Sequence, residues 1–193
     1  MSKLLIVVDA QNDFVSGVLG SKEAQAAIPY IATKLEEYQN EIVVFTQDTH
    51  YEDYLETQEG KYLPVPHCLR GFSRSTKGWE ICHELMEIVK NHSYKLSGII
   101  EKSTFGVYDF PKFLNDRTLD DPDSIELVGF CTNICVISNA LILKAFFPEI
   151  PIKVYAPACA GTTVEKHKAA LEVMKSCQIE VYDEISMYMN QPE

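Results

Sequence analysis

No stretch of this chain approaches the roughly 18 consecutive apolar residues that a membrane-crossing helix needs, so no membrane partner is expected. The opening apolar run is too short for a signal peptide and stops at Asp9, which makes the cytoplasm the expected setting. Basic residues are scarce beside acidic ones, 17 against 28, and the net charge is −11. No positive stripe is left to neutralise phosphates, so nucleic acid is not an expected partner. Six cysteines occur but none forms a Cys-x-x-Cys pair; Cys131 and Cys135 are one residue too far apart for a thioredoxin-type motif. Free thiols are expected, most of them small buried apolar residues. Repeats, low-complexity tracts and linkers are missing as well, and 193 residues suit one domain, 1–193, able to bury a core without staples.

Apolar runs rich in Val and Ile recur at 4–8, 42–46, 98–101, 125–130, 152–156 and 179–182. The first, second and fourth are nearly continuous rather than alternating, the pattern of parallel strands covered on both faces. Helix-length stretches separate them at 21–40, 78–92, 133–147 and 163–177, with a shorter one near 109–116. The last long one opens with Thr162-Thr163-Val164-Glu165, a capping-box pattern, and carries His167, Ala170, Leu171 and Met174 at helical spacing. This alternation predicts an α/β fold, doubly wound, with a mostly parallel six-stranded sheet and helices on both faces. The stretch 51–77 holds Pro64, Pro66 and two glycines and shows no clear period. A loop of that length is expected to be functional or disordered, and His50 and His67 at its start and middle favour function. The tail from Ser186 is expected to be a surface extension.

Ligands of such sheets bind beyond the carboxyl ends of the strands. Four segments there carry chemistry that a core does not require: Asp9 to Phe14, Asp48-Thr49-His50, Glu101-Lys102-Ser103 and Gly129 to Cys135. Cys135 falls in the first turn of a predicted helix, whose N–H groups and partial positive charge would lower its pKa and could hold an oxyanion together with the amide of Cys131. The plainer reading is that Cys135 packs the helix against the sheet with Ile134, Val136 and Ile137; Cys131 is a second thiol to consider. An Asp such as Asp9 can take a thiol proton and return it to a leaving amine, and the Lys102 cation would hold both in their charged forms. Either could instead be a strand-end polar residue.

Asp48, His50 and His67 suit a divalent metal, with a fourth ligand from Glu52, Glu56 or Glu59; zinc, manganese and iron all accept such donors. A strand-end histidine capped by an aspartate is the alternative. His83, His92 and His167 are expected on helix surfaces or in packing. A non-enzymatic binding or redox domain using Cys131 and Cys135 is disfavoured, because Gln11-Asn12-Asp13 stands where a glycine-rich phosphate loop would be.

Together these segments resemble the isochorismatase-like cysteine hydrolases, most closely their nicotinamidase/pyrazinamidase branch, from Leu4 to about Asp183. The resemblance implies that Cys135, in Gly129-Phe130-Cys131-Thr132-Asn133-Ile134-Cys135, is the nucleophile, that Asp9 rather than Asp13 is the general base, and that Lys102 completes the set. It implies a cis peptide at Phe130–Cys131. It also implies one divalent metal ion, zinc foremost, held by Asp48, His50 and His67 as a template for the substrate. Many nicotinamidases supply a third histidine from the intervening loop, and this chain has none there; Glu59 is the best-placed replacement. Asn133 stands where an aspartate is often found. The activity implied is conversion of nicotinamide, and of pyrazinamide, to the acid and ammonia through a thioester, feeding NAD salvage. Phe14 and Phe105 become candidate ring walls, Cys131 an amide donor. The alternative within the family is an amidase or carbamoyl hydrolase with another small substrate. A homo-oligomer is compatible with the chain, whose acidic surface does not fix subunit number.

Overall fold

The computed structural model describes residues 2–71, 75–115 and 121–183; the expected surface extension from Ser186 lies outside them. Six strands, β1 (Lys3–Val8), β2 (Ile42–Asp48), β3 (Leu96–Lys102), β4 (Ser124–Phe130), β5 (Ile152–Ala160) and β6 (Glu180–Tyr182), form one sheet in the order β3-β2-β1-β4-β5-β6. Every neighbouring pair is parallel, where a mostly parallel sheet was expected. The alternating period of side chains divides β1 between two cores. Leu4, Ile6 and Val8 face α5 (Phe110–Asn115), α6 (Ile137–Phe146) and α7 (Val164–Ser176). Leu5 and Val7 face α1 (Asn12–Val15), α2 (Lys22–Glu37) and α4 (His83–Asn91). Burial on both faces is why β1 and β2 read as unbroken apolar runs.

Three local expectations need correction. The stretch 51–77 contains a 3-10 turn (Tyr54–Glu56) and α3 (Gln58–Tyr62), the latter capped by Thr57, whose Oγ1 accepts from the Gly60 N–H at 3.0 Å. Helices of three and five residues are too short to show a period. The helix expected from residue 78 begins only at His83, because the preceding backbone is spent elsewhere. Asn12 N–H donates to the Glu80 carbonyl and Asp13 N–H to the Gly78 carbonyl, both at 3.0 Å. Finally, α7 is capped by Thr163, which accepts from Lys166 N–H at 3.2 Å, one residue later than the capping-box spacing suggested.

The strand order places β1 and β4 side by side at the centre, where the winding direction changes, and this is where an open α/β sheet forms its crevice. Close approach there depends on Gly129. At φ +114° it occupies a region L side chains rarely adopt, and a Cβ would lie 2.0 Å from the Val8 carbonyl oxygen.

Candidate active site

Asp9 ends β1 with φ +45°, a left-handed conformation that is uncommon for a residue with a Cβ and that marks strained functional positions. Its carboxylate is fully buried; Thr46 Oγ1 donates to Oδ1 at 2.7 Å, and Lys102 Nζ lies 2.7 Å from Oδ2. Lys102 Nζ is also 3.3 Å from Asp48 Oδ1 and 3.8 Å from Cys135 Sγ. Ends of four strands thus deliver a carboxylate, an ammonium, a thiol and a second carboxylate to one spot, as their sequence positions suggested.

The thiol's surroundings differ from those expected. Residues Thr132–Val136 form a single π-type turn ahead of α6, and Cys135 belongs to it rather than to a regular first turn. Burial, reinforced by the neighbouring Asp9 carboxylate, pushes the Cys135 thiol well above its ordinary range, despite Lys102. Desolvation outweighs the Lys102 cation. Burial likewise lifts Asp9, and the opposing Lys102 charge does not cancel it. Lys102 itself, which burial would neutralise, is held charged by the Asp9 and Asp48 carboxylates. Burial thus disfavours the charged form of both groups, the thiolate and the carboxylate. The Phe130–Cys131 peptide is cis, as the sequence resemblance implied.

The second cluster adjoins the first through Asp48. His50 Nε2 and His67 Nε2 lie 3.0 and 3.4 Å from Asp48 Oδ2, and 3.7 and 3.8 Å from Glu59 Oε1. One donor atom from each of the four residues falls within 4.8 Å of all the others. His67 Nδ1 pairs with the Val65 carbonyl at 2.8 Å, which turns Nε2 toward the cluster. Two imidazoles and two carboxylates around a common point fit a divalent cation such as zinc. Burial acts to raise Asp48, but hydrogen bonds from His50 and His67 and the Lys102 charge outweigh it and hold the carboxyl far below the usual range. Glu59 joins the cluster, whereas Glu52 and Glu56 are exposed on the surface.

Both clusters open into one cavity of about 1100 Å³. Cys135, Cys131, Asp48, His50, Glu59 and His67 line it; Lys102 contacts Cys135 and Asp48 among them, and Asp9 contacts Lys102. Phe14 is buried in its wall, edge-on to His67 with ring centroids 5.5 Å apart; Phe105 sits at the rim, 47% exposed. Cys131 is half-buried, with its thiol pushed up to about 12 by burial. His83 is exposed and His92 bonds the Ile88 carbonyl, as surface roles require. His167 does more than pack: its Nδ1 pairs with Thr132 Oγ1 at 2.8 Å, at the turn that carries Cys135. Sequence reasoning missed Thr46, Thr132 and Asn139. The last donates to the Cys135 carbonyl at 2.8 Å, and nothing local in sequence marks such contacts.

An isochorismatase-domain family model matches residues 3–185. Among solved structures, a nicotinamidase/pyrazinamidase from Bacillus subtilis is 26% identical, with a TM-score of 0.77 over 95% of this chain and 100% of that one. A pyrazinamidase from Pyrococcus horikoshii, solved in complex with zinc, is 25% identical, with a TM-score of 0.71 over 95% and 100%. An N-carbamoylsarcosine amidase from Thermoplasma acidophilum shares the fold at 23% identity and a TM-score of 0.72 over 96% and 99%. Comparison with curated protein sequences finds no match.

Proposed function

Because this chain belongs to the isochorismatase family of hydrolases, we propose that it is a metal-dependent cysteine amidohydrolase converting nicotinamide, and pyrazinamide, to the carboxylic acid and ammonia. The observation that carries this reading is the junction of the two clusters. A thiol–carboxylate–ammonium set and a four-donor metal-type set share one cavity and are bridged by Lys102, 2.7 Å from Asp9 and 3.3 Å from Asp48. Asp48, His50, Glu59 and His67 would hold the metal, which when bound supplies a Lewis-acidic anchor for a ring nitrogen.

In this reading the amide carbon sits over Cys135, with Phe14 and Phe105 flanking the ring. As sulfur attacks, its proton passes to Asp9, whose raised basicity suits it to receive a proton from a high-pKa thiol. Lys102 stays cationic and stabilises negative charge on Asp9 and sulfur. The amides of Cys131 and Cys135 hold the oxyanion. Asp9 then gives its proton to the departing nitrogen, ammonia leaves and a thioester remains. Water adds to the thioester, giving one proton to Asp9; the C–S bond breaks, and Asp9 returns the proton to sulfur. The sum is amide plus water to acid plus ammonia.

Ammonia release from nicotinamide by the purified chain, before and after chelation, tests the proposal. Release that chelation abolishes and zinc restores is the expected result. No release from a folded, zinc-loaded chain rejects nicotinamide as substrate and leaves another small amide to be found.

A further inference from the structure

The segment after β1 contributes Asp9 to the reaction, yet two further polar residues in it, Gln11 and Asp13, are also buried and take no part in that chemistry. Both turn toward the metal-type cluster. The fully buried amide of Gln11 makes a two-point match with the main chain of Asp48. Its Oε1 accepts from the Asp48 N–H at 2.7 Å and its Nε2 donates to the Asp48 carbonyl at 2.8 Å. Nε2 also donates to the Trp79 carbonyl at 2.8 Å, so both ends of the amide are held. For one residue the side chain acts as a further strand, and that residue is the carboxylate donor shared by both histidines.

Asp13 reaches the other side of the cluster. Its Oδ2 accepts from the Cys68 N–H at 2.7 Å. Cys68 follows His67 directly and is held at φ +48°, a left-handed conformation disfavoured for a residue with a Cβ, so an outside bond is needed to keep it there. The Cys68 carbonyl in turn accepts from His50 N–H at 3.0 Å. The space around the carboxylate is closed: a Cβ on Gly78 would come within 2.1 Å of Asp13 Oδ2.

We propose that Gln11 and Asp13 are positioning residues of the metal centre, so that the segment following Asp9 also fixes the backbone of Asp48 and, through Cys68, the residue next to His67. The inference rests on the reading that Asp48, His50, Glu59 and His67 hold a metal. Its physical content is preorganisation: four donors gathered in advance do not pay to be gathered at binding, and partners that orient ligands typically matter by factors of 10 to 100 in affinity.

The test titrates the full chain, stripped of metal by chelation, with zinc in competition with a chromophoric chelator. Gln11→Ala and Asp13→Ala are expected to bind zinc roughly 10- to 100-fold more weakly than the unaltered chain. Asp13→Asn retains an acceptor for the Cys68 N–H and is expected to regain most of that loss. Gln11→Glu keeps the acceptor for Asp48 N–H but loses both donors, so it is expected to bind zinc more weakly than the unaltered chain. Asn12→Ala, in the same segment with its side chain on the Lys77 carbonyl, is expected to leave affinity unchanged. Melting of the zinc-free forms separates positioning from mere folding. Lowered Tm with unaltered zinc affinity in Gln11→Ala and Asp13→Ala overturns the inference. Should those two not fold, unaltered affinity in Gln11→Glu does so instead. If the unaltered chain takes up no zinc, the metal reading itself fails and this inference falls with it.

Discussion

Asp48 and Lys102 are register partners at the ends of β2 and β3, and their side chains meet at 3.3 Å. An ammonium this deeply buried is tolerable only between opposite charges. Here it has two, Asp48 on one side and Asp9 on the other, and it ties the metal-type cluster to the thiol.

Lys102→Met should therefore reshape the pH dependence. Lys102 pulls Asp9 down against burial and Asp48. Without that charge the Asp9 carboxyl rises further, and a base of higher pKa becomes deprotonated only at higher pH. The acid limb of kcat/KM is expected to move to higher pH, with a loss of about 100-fold or more at neutrality. A pH–rate profile checks this; an unmoved limb would assign it to a group other than Asp9.

Cys135→Ala should lose roughly 10⁴-fold or more of kcat while keeping its fold, since removing a nucleophile is not repaired by its neighbours. Cys131→Ala should keep most of its activity, because only its amide is used. Circular dichroism and turnover of the two variants decide, and an unfolded Cys135→Ala would make that residue structural.

Glu59→Gln should release metal more readily than Glu52→Gln or Glu56→Gln. Its carboxylate lies within 3.8 Å of both histidine Nε2 atoms, while the other two glutamates are exposed. Elemental analysis after dialysis is the measurement, and equal metal content across the three would remove Glu59 from the ligand set.

Asn139→Ala should cost roughly 1–3 kcal/mol, the usual penalty for leaving a buried donor unpaired. The Val107 N–H loses its 2.9 Å partner, and the Phe105 carbonyl loses a donor at 3.3 Å. Urea unfolding reports the stability, and a raised KM is expected as the Phe105 rim loosens.

Gly129→Ala should destabilise by about 3 kcal/mol or more, combining a strained φ with a clash that neither backbone can relieve. Urea unfolding measures it; a small loss would mean that β1 and β4 can separate.

The strands were legible because burial on both faces demands unbroken Val and Ile, as in Leu4 to Val8. The extra length of β5 was not, since Pro157, Ala158 and Cys159 do not look like strand formers. Asp48, His50 and His67 stood out by their place at a strand end and beside prolines. Glu59 was singled out among three glutamates by family resemblance alone, and the structure brings it within reach of both imidazoles. The elevated thiol pKa comes from burial and then from Asp9, which is distant in sequence and adjacent in space, so no local pattern announces it. The same holds for Gln11, whose partner is a backbone one strand away.

The strand order has a consequence for how such a molecule can change. The groups assigned as base and nucleophile stand at the ends of β1 and β4, the innermost strands, joined by six register pairs. The metal-type donors stand one strand outward and on the loop that returns through His67. Substitutions in that outer half can remodel what the cavity holds while the spacing of proton acceptor and sulfur stays fixed by the sheet. The spacing of the assigned base and nucleophile is thus conservative by architecture, while much of the cavity around them is open to revision, a division on which new substrate preferences could be built without inventing new chemistry.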